Sequence, residues 1–579
     1  MISIKNFLLI NLSFLLVHCQ SPQKIILASN VRSDHKASEA RGKKFAVSTQ
    51  GIYSTQAAKE IFSLGGNAID AAISASFVLA VERPHSTGIG GGGFMLFREG
   101  KSKKIYAIDF RERAPLKSYK NMFLDSEGKV KPNLSINGIL ASAVPGLVAG
   151  LLEIHQKFGS LPLEVILKPS IALAETGFPI YPSLAAALLQ KENELSNDPE
   201  ASKIFLDEKK KAFKEGHILI QKDLAHTLRT IAQRGKAGFY EGEVAKEYVE
   251  LFKKEKGLLS QLDLTSYKVK WRAPLNGTYK GFEIFSMPPP SSGGVHIIQF
   301  LNMLENDSLS KLGMLSTRSI HLAASALQSA FADRAYYLGD PDFTKVPVET
   351  LISKEYALKR RKEFLNDRAR KSIEVKEGNI SPSEHTETTH LSIMDDQGDV
   401  VATTQTINGY MGASIVVPHT GIVLNNEMDD FSAMTGASNL FGAIGSKANS
   451  IVPQKTPLSS MSPTIILRDG NPVMSLGAPG GTRIISCVAQ TILNYLEFKT
   501  PLFESIASIR YHHQWLPDIL NIDSPGPKKE ILDELQKMGY VVQLKPVPCN
   551  VMAVSKEEKE EYPFHAVADP RDIGTSTGL

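Results

Sequence analysis

Between Thr388 and Thr406, far from either end of the chain, the sequence alternates on both sides of a polar knot, Asp395-Asp396-Gln397-Gly398-Asp399. Leu391 and Ile393 mark the alternation before it, and Val401, Thr403 and Gln405 continue it afterwards. Successive side chains of a strand point to opposite faces, so this pattern around an Asp/Gly turn specifies an antiparallel hairpin. With Gln397 as its midpoint, residues equidistant from Gln397 stand opposite each other, which places Thr406 across from Thr388 on one face. The fold is thereby constrained from the middle outwards: a sheet must be built around position 388, with two hydroxyls side by side at the open end of the hairpin.

A threonine hydroxyl is a weak nucleophile until a base removes its proton, and the α-amine of an N-terminal threonine can serve as that base. Such an amine titrates near ~7.7–8, close to working pH, so it can both accept and return a proton. Obtaining it here requires cleavage between Glu387 and Thr388. His390 shares the parity of Thr388 but lies two residues further on, about 6.6–7 Å away at the strand rise. A structural role is expected for it, not that of a catalytic base.

Several ordered motifs surround this hairpin. They are Glu82-Arg83-Pro84-His85 leading into Gly90-Gly91-Gly92-Gly93-Phe94, then Asp109-Phe110-Arg111-Glu112, then Met287-Pro288-Pro289-Pro290-Ser291-Ser292-Gly293-Gly294. Further on come Tyr337-Leu338-Gly339-Asp340-Pro341-Asp342-Phe343, Asn425-Asn426-Glu427-Met428-Asp429-Asp430-Phe431, Pro457-Leu458-Ser459-Ser460-Met461-Ser462-Pro463-Thr464 and Ala478-Pro479-Gly480-Gly481-Thr482-Arg483. From about Phe45 to the C-terminus the chain resembles the gamma-glutamyltransferases of the N-terminal-nucleophile hydrolase superfamily, which cut themselves before a Thr-Thr-His of this kind. The resemblance implies an α+β fold, a four-layer αββα sandwich, made of a large subunit 45–387 and a small catalytic subunit 388–579. It also implies action on glutathione and other gamma-glutamyl compounds, with transfer to water or to amino acid and peptide amines. No metal or organic cofactor is implied. The glycine run 90–93 lacks the Lys-Ser/Thr of a P-loop and the spacing of a dinucleotide fingerprint, so neither nucleotide nor nucleic acid is expected as a partner.

What the resemblance assigns, chemistry can justify. Thr388 is the nucleophile, Thr406 its supporting hydroxyl, and the backbone N–H groups of Gly480 and Gly481 are the donors for the developing oxyanion. A gamma-glutamyl donor carries an α-carboxylate and an α-ammonium far from the scissile bond. Arg111 matches the family arginine that pairs with the carboxylate, where a planar fork suits better than lysine. Ser459 and Ser460 match serines that hydrogen-bond it, while Asn408, Glu427 and Asp430 match the residues around the ammonium. The segment after Asp430 resembles a lid, with Phe441 where tyrosine is common, and Glu427 stands where some members have glutamine. Two other readings remain: an acylase of the same superfamily, whose substrates lack the ammonium that Glu427 and Asp430 would pair, and an inactive binding or adhesion protein.

The 579 residues are 42% hydrophobic, enough for a large core. Formal net charge is only +4, yet the part from Thr388 onward carries 13 Lys+Arg against 20 Asp+Glu and the remainder 52 against 41. Opposite net charges favour the two subunits staying together after cleavage. Near the N-terminus, Lys5 precedes an apolar run from Phe7 to Val17, too short for a membrane span and shaped as a signal-peptide core. Cys19 follows directly, as in a lipoprotein signal, with a signal segment 1–19 and a polar tether 20–44 behind it, although His18 is larger than the residue such signals place before the cysteine. The expected location is the periplasm, free or membrane-anchored through lipid on Cys19. Cys487 and Cys549, with no His or Cys at metal-ligand spacing, read as small buried hydrophobes, a bridge between them being the minor alternative.

Overall fold

The computed structural model describes residues 38–376, 388–434, 439–440 and 447–579. Glu387, Phe441 and Cys19 therefore lie outside the described residues. The hairpin forms in the expected register, with Thr389 opposite Gln405, His390 opposite Thr404 and Met394 opposite Val400. Its strands, Thr389–Asp395 and Val400–Thr406, sit at the centre of a seven-stranded antiparallel sheet. Phe45–Thr49 and Thr575–Gly578 extend that sheet on one side, and Gly92–Arg98, Ile105–Asp109 and Lys270–Arg272 on the other.

A second seven-stranded antiparallel sheet runs Glu39–Gly42, Phe564–Ala568, Met552–Lys556, Asn471–Gly477, Thr464–Arg468, Phe282–Ser286, Leu275–Tyr279. It packs face to face on the first. Strand parity divides the hairpin between two cores. Leu391, Ile393 and Val401 point to the helices Ile52–Ser63, Ala68–Glu82 and Leu147–Phe158. Met394, Val400 and Ala402 join the core that reaches the second sheet and its helices Gly293–Leu304, Thr317–Tyr337 and Arg483–Leu496. Helix, sheet, sheet, helix is the four-layer α+β sandwich expected. Thr388 has the parity of the inter-sheet face, so its side chain emerges at the rim between the two sheets.

That seam is polar and tight. Ser475 donates through its hydroxyl to the Val401 carbonyl at 2.8 Å and reaches the Ser392 hydroxyl at 3.2 Å. A Cβ on Gly477 would come within 2.3 Å of the His390 ring. His390 is thus wedged between sheets, its Nδ1 2.8 Å from the Thr404 hydroxyl and its Nε2 3.1 Å from that of Ser392. Burial drives its pKa down to about 3, leaving it neutral.

Two expectations, on the tether and on the two cysteines, need correction. The tether ends before 44: Glu39–Gly42 is a strand paired with Phe564–Ala568, because backbone hydrogen bonds recruit an edge strand whatever its side chains. The first helix begins at Ile52. Its free N–H groups at Ile52, Tyr53 and Ser54 donate to the buried carboxylate of Glu82, at 2.6, 3.0 and 3.1 Å, so the last residue of one helix caps the start of the helix before it. Cys487 and Cys549 are buried as expected but are also bonded as a disulfide, their Cα atoms 6.6 Å apart. It ties the helix Arg483–Leu496 to the loop that packs against Gly480.

Candidate active site

Arg111, Arg334, Thr388, Thr406, Asn408, Glu427, Asp430, Ser459, Ser460 and Gly481 line a single pocket. Seven separate stretches of the sequence converge there. Each is delivered by local chemistry. Thr406 ends its strand, and its hydroxyl accepts from the Asn408 N–H at 2.8 Å, folding the chain over at Asn408, whose φ is +75°. The Asn408 amide in turn donates to the Asn426 carbonyl at 2.9 Å, tying the end of the hairpin to the short turn Glu427–Asp430.

Gly480 and Gly481 have φ values of +133° and +54°, a backbone that side chains resist. Their carbonyls accept from Arg483 and Ile484 and open the helix Arg483–Leu496. Among the described residues neither glycine's N–H has an acceptor. Two unsatisfied donors at the mouth of a helix, beside a threonine hydroxyl, make a place for an oxyanion.

The charged end of the pocket is dense. Arg111 is 1% exposed and its guanidinium fork reaches Glu427 at 2.6 Å and Asp430 at 2.5 Å. Its Nε donates to the Pro457 carbonyl at 3.0 Å. Burial opposes the charge on Arg111, but Glu427, Asp430 and Glu112 together hold its pKa above the ordinary arginine value. Burial pushes Asp430 upwards, with Arg111 and Arg334 opposing. Free space among these groups is only about 20 Å³, room for about one water.

Two members of this cluster were not identified from the sequence. Glu112 follows Arg111 and is fully buried, and among the described residues its oxygens find no donor. It faces Glu427, so one proton held between the two carboxyls supplies the missing hydrogen bond. Burial raises Glu112 to about 7, against the pull of Arg111, and raises Glu427 well above the carboxylate range. Arg334 sits on the helix Thr317–Tyr337, 5% exposed, donating to the hydroxyls of Ser292 at 2.9 Å and Ser460 at 3.1 Å. Among the described residues it has no carboxylate partner within ion-pair distance. Burial lowers its pKa to about 10, with Asp430 resisting and Arg111 repelling. Its signal in the sequence is a charged residue in the last turn of a helix rich in small and apolar residues.

Ser459 and Ser460 are held in place by Pro290, whose carbonyl accepts from the Ser459 N–H at 2.9 Å. In the segment after Asp430, Asn439 donates to Asp430 at 2.6 Å and the Leu440 N–H to Asp429 at 2.7 Å. The Leu440 side chain covers Gly409. No group of His, Cys, Asp and Glu among the described residues is arranged to hold a metal ion.

Comparison with known proteins places the chain in a family. Residues 54–579 match the family model described as gamma-glutamyltranspeptidase. The chain is 40% identical over 537 residues to the glutathione hydrolase proenzyme of Escherichia coli, covering 93% of this chain and 92% of that one. Among solved structures, a gamma-glutamyltranspeptidase from Helicobacter pylori is 41% identical and superposes with a TM-score of 0.55, over 62% of this chain and 97% of that chain. A cephalosporin acylase from Bacillus halodurans superposes with a TM-score of 0.80 at 25% identity, over 93% of this chain and 97% of that chain.

Proposed function

The chain belongs to the gamma-glutamyltranspeptidase family, and from that premise we propose that it is a self-processing gamma-glutamyltransferase and glutathione hydrolase acting through Thr388. The observation that carries this reading is one pocket with two unsatisfied N–H groups beside Thr388 at one end and opposed fixed charges, Arg111 and Arg334 against Glu427 and Asp430, at the other. A gamma-glutamyl group has the complementary plan, a carbonyl at one end and a zwitterion at the other. An acylase substrate without an ammonium would leave the buried acids unpaired, a cost of about 1–3 kcal/mol or more for charged groups.

In processing, the Thr388 hydroxyl attacks the Glu387 carbonyl, the acyl group moves from N to O, and water hydrolyses the resulting ester. This yields a large subunit ending at Glu387 and a small subunit 388–579, held as a heterodimer. In turnover the freed α-amine of Thr388 takes the hydroxyl proton, and Oγ1 attacks the gamma-carbonyl of glutathione or a related donor. Gly480 and Gly481 receive the oxyanion, and the leaving amine departs with the proton. Water or the amine of an amino acid or peptide then attacks the gamma-glutamyl ester. Arg111, Arg334, Ser459 and Ser460 face the donor's carboxylate, and Asn408, Glu427 and Asp430 its ammonium, with Phe441 on the lid. No helix among the described residues is long and apolar enough to cross a membrane. Export with lipid anchorage at Cys19 is the location we propose.

The test is a denaturing gel combined with a gamma-glutamyl anilide assay. Wild type should show two chains and activity, while Thr388→Ala should remain one chain with none. An intact wild-type polypeptide with full activity refutes the reading.

A further inference from the structure

The Gly480-Gly481 turn has a wall on each side, and one covalent bond joins the two walls. Glycine leaves a backbone soft, so a pair at positive φ keeps one geometry only if its surroundings impose it. On one side stands the helix Arg483–Leu496, whose Arg483 and Ile484 N–H groups donate to the Gly480 and Gly481 carbonyls at 3.0 and 3.2 Å. On the other stand Pro548 and Cys549: a Cβ on Gly480 would lie 2.8 Å from the Pro548 carbonyl oxygen and 3.2 Å from the Cys549 Cβ. Cys487, one helical turn beyond Arg483, is bonded to that same Cys549. We propose that the Cys487–Cys549 disulfide positions the oxyanion turn, so that full turnover requires the oxidised chain. The proposal rests on the transferase reading above and adds to it a dependence on redox state.

Topology makes the two sulfurs a closing link. From Gly480 the path runs through the first turn of the helix to Cys487, across the sulfur pair to Cys549, and back by close packing to Gly480, a ring around the two donors. The wall has no regular structure of its own, since residues 546–550 lie between the strands Val542–Leu544 and Met552–Lys556 and belong to neither. Buried ions anchor its far side. Arg510 donates to the Cys549 carbonyl and, at 2.6 Å, to Asp569, while Asp569 and Asp523 accept from the Val551 and Val547 N–H groups at 3.0 and 2.6 Å. Those bonds fix the loop against Arg510, Asp523 and Asp569; the disulfide is the covalent tie between the loop and the helix.

An oxyanion donor acts only at close range, about 2.7–3.1 Å from the oxygen that gains charge, and removing one donor outright lowers kcat roughly 10²–10³-fold. Without the sulfur bond the ring opens, and the two N–H groups keep their chemistry but lose their fixed placement. Charge develops on that oxygen in the transition state and not in the bound donor, so the loss falls on kcat and spares KM. Both sulfurs are buried, which shields the bond from thiols in solution once the chain has folded. Forming it takes two electrons and two protons from the two cysteine thiols, and an oxidant that itself carries a disulfide accepts them and leaves as two thiols. An oxidising exterior supplies such oxidants, whereas the thiol-rich cell interior leaves the pair reduced. An activity that consumes glutathione is thereby slow in the cytosol and reaches its full rate after export.

The test removes the bond in two ways. Cys487→Ala combined with Cys549→Ala deletes both sulfurs, and a gel showing two chains together with a Tm above the assay temperature reports that the variant is processed and folded. With gamma-glutamyl-4-nitroanilide, a donor that has no thiol, its kcat should fall about tenfold or more while KM stays within about twofold. Hydrolysis and transfer to glycylglycine should fall by the same factor, because both steps load the same carbonyl oxygen. Wild type treated with a phosphine reductant until mass spectrometry counts two free thiols should show the same drop, oxidised glutathione should restore it, and the double variant should respond to neither reagent. A disulfide that only stabilises the small subunit lowers Tm and leaves kcat alone. That result overturns the proposal, as does a loss carried by KM, a double variant that never processes, or an exported wild-type chain whose two cysteines are found as thiols. Failure of the transferase reading itself would instead appear in the oxidised wild type, as no turnover of the donor.

Discussion

Replacing Arg334 by methionine should separate folding from donor recognition, because its two roles carry opposite costs. In the folded chain its guanidinium donates to Ser292 and Ser460, and no carboxylate lies within ion-pair distance among the described residues. Removing it forfeits two charge-assisted hydrogen bonds, ~1.5–3 kcal/mol each. It also relieves the several kcal/mol that desolvating an unpaired ion costs. These terms nearly cancel, so Tm should move by only a few degrees and processing should be retained. A donor carboxylate loses a desolvated charge partner, worth ~2–5 kcal/mol, about 30-fold to several thousand-fold in kcat/KM. The assay compares gamma-glutamyl-4-nitroanilide with 4-aminobutanoyl-4-nitroanilide, which keeps the ammonium and lacks the carboxylate. Arg334→Met should abolish most of the preference for the first while leaving the second unchanged, and Arg334→Lys should restore part of it, since the charge returns without the fork. Parallel loss on both anilides would show that Arg334 only positions Ser460, and no loss on either would remove it from the donor site.

Further expectations concern the acids and the anchor. Because Glu112 titrates at about 7 while Glu427 is held well above the carboxylate range, the pair passes from two protons to one, and gains a negative charge, as pH rises through about 7. Donor KM should fall across that interval, and Glu112→Gln should erase the step in a KM-against-pH series. A carboxyl raised in the folded state gives stability that is present below its ordinary value of 4.5 and lost as pH rises towards about 7, so thermal unfolding of Glu112→Gln should show a flatter loss over that window. Asp430→Ala leaves half of the Arg111 fork unpaired and should cost ~2–5 kcal/mol in donor kcat/KM with processing intact; wild-type activity in that variant would refute its assignment. Cys19→Ser should move the protein into the soluble exported fraction with catalysis unchanged, and a wild-type chain that takes up no labelled fatty acid and partitions into the aqueous phase would dismiss the lipid.

The parts of the site that could be read from the sequence are those whose geometry is set within a short segment. A turn of five residues and a period of two fix the Thr388–Thr406 register without knowledge of anything else in the chain. The glycine pair 480–481 is similarly local, since positive φ restricts the residue type at the position itself. What escaped were relations across long separations. Arg334 meets Ser460 across 126 positions, Glu82 caps a helix 28–30 positions upstream, and Cys487 finds Cys549 across 62. The strand Glu39–Gly42 escaped for the same reason, since it is recruited by a partner more than 500 residues away and its four residues, Glu-Ala-Arg-Gly, include no large apolar side chain.

One consequence of the charged end follows only from the assembled structure. Arg111 already holds Glu427 and Asp430 in a pocket with space for about one water, so a donor cannot enter beside these ion pairs and must exchange with them. The exchange is electrostatically close to balanced. The donor's carboxylate replaces the protein's acids on the arginine, and its ammonium replaces the arginine against the acids. A ligand with only one of the two charges breaks a buried pair without restoring it, which is the expensive half of the same exchange. With Arg111 and Arg334 positive, Asp430 negative and one proton between Glu112 and Glu427, the cluster is neutral overall, so it gains nothing from a singly charged ligand. Selectivity for a zwitterionic acyl group therefore arises from the pairs the pocket must give up as much as from the contacts it makes.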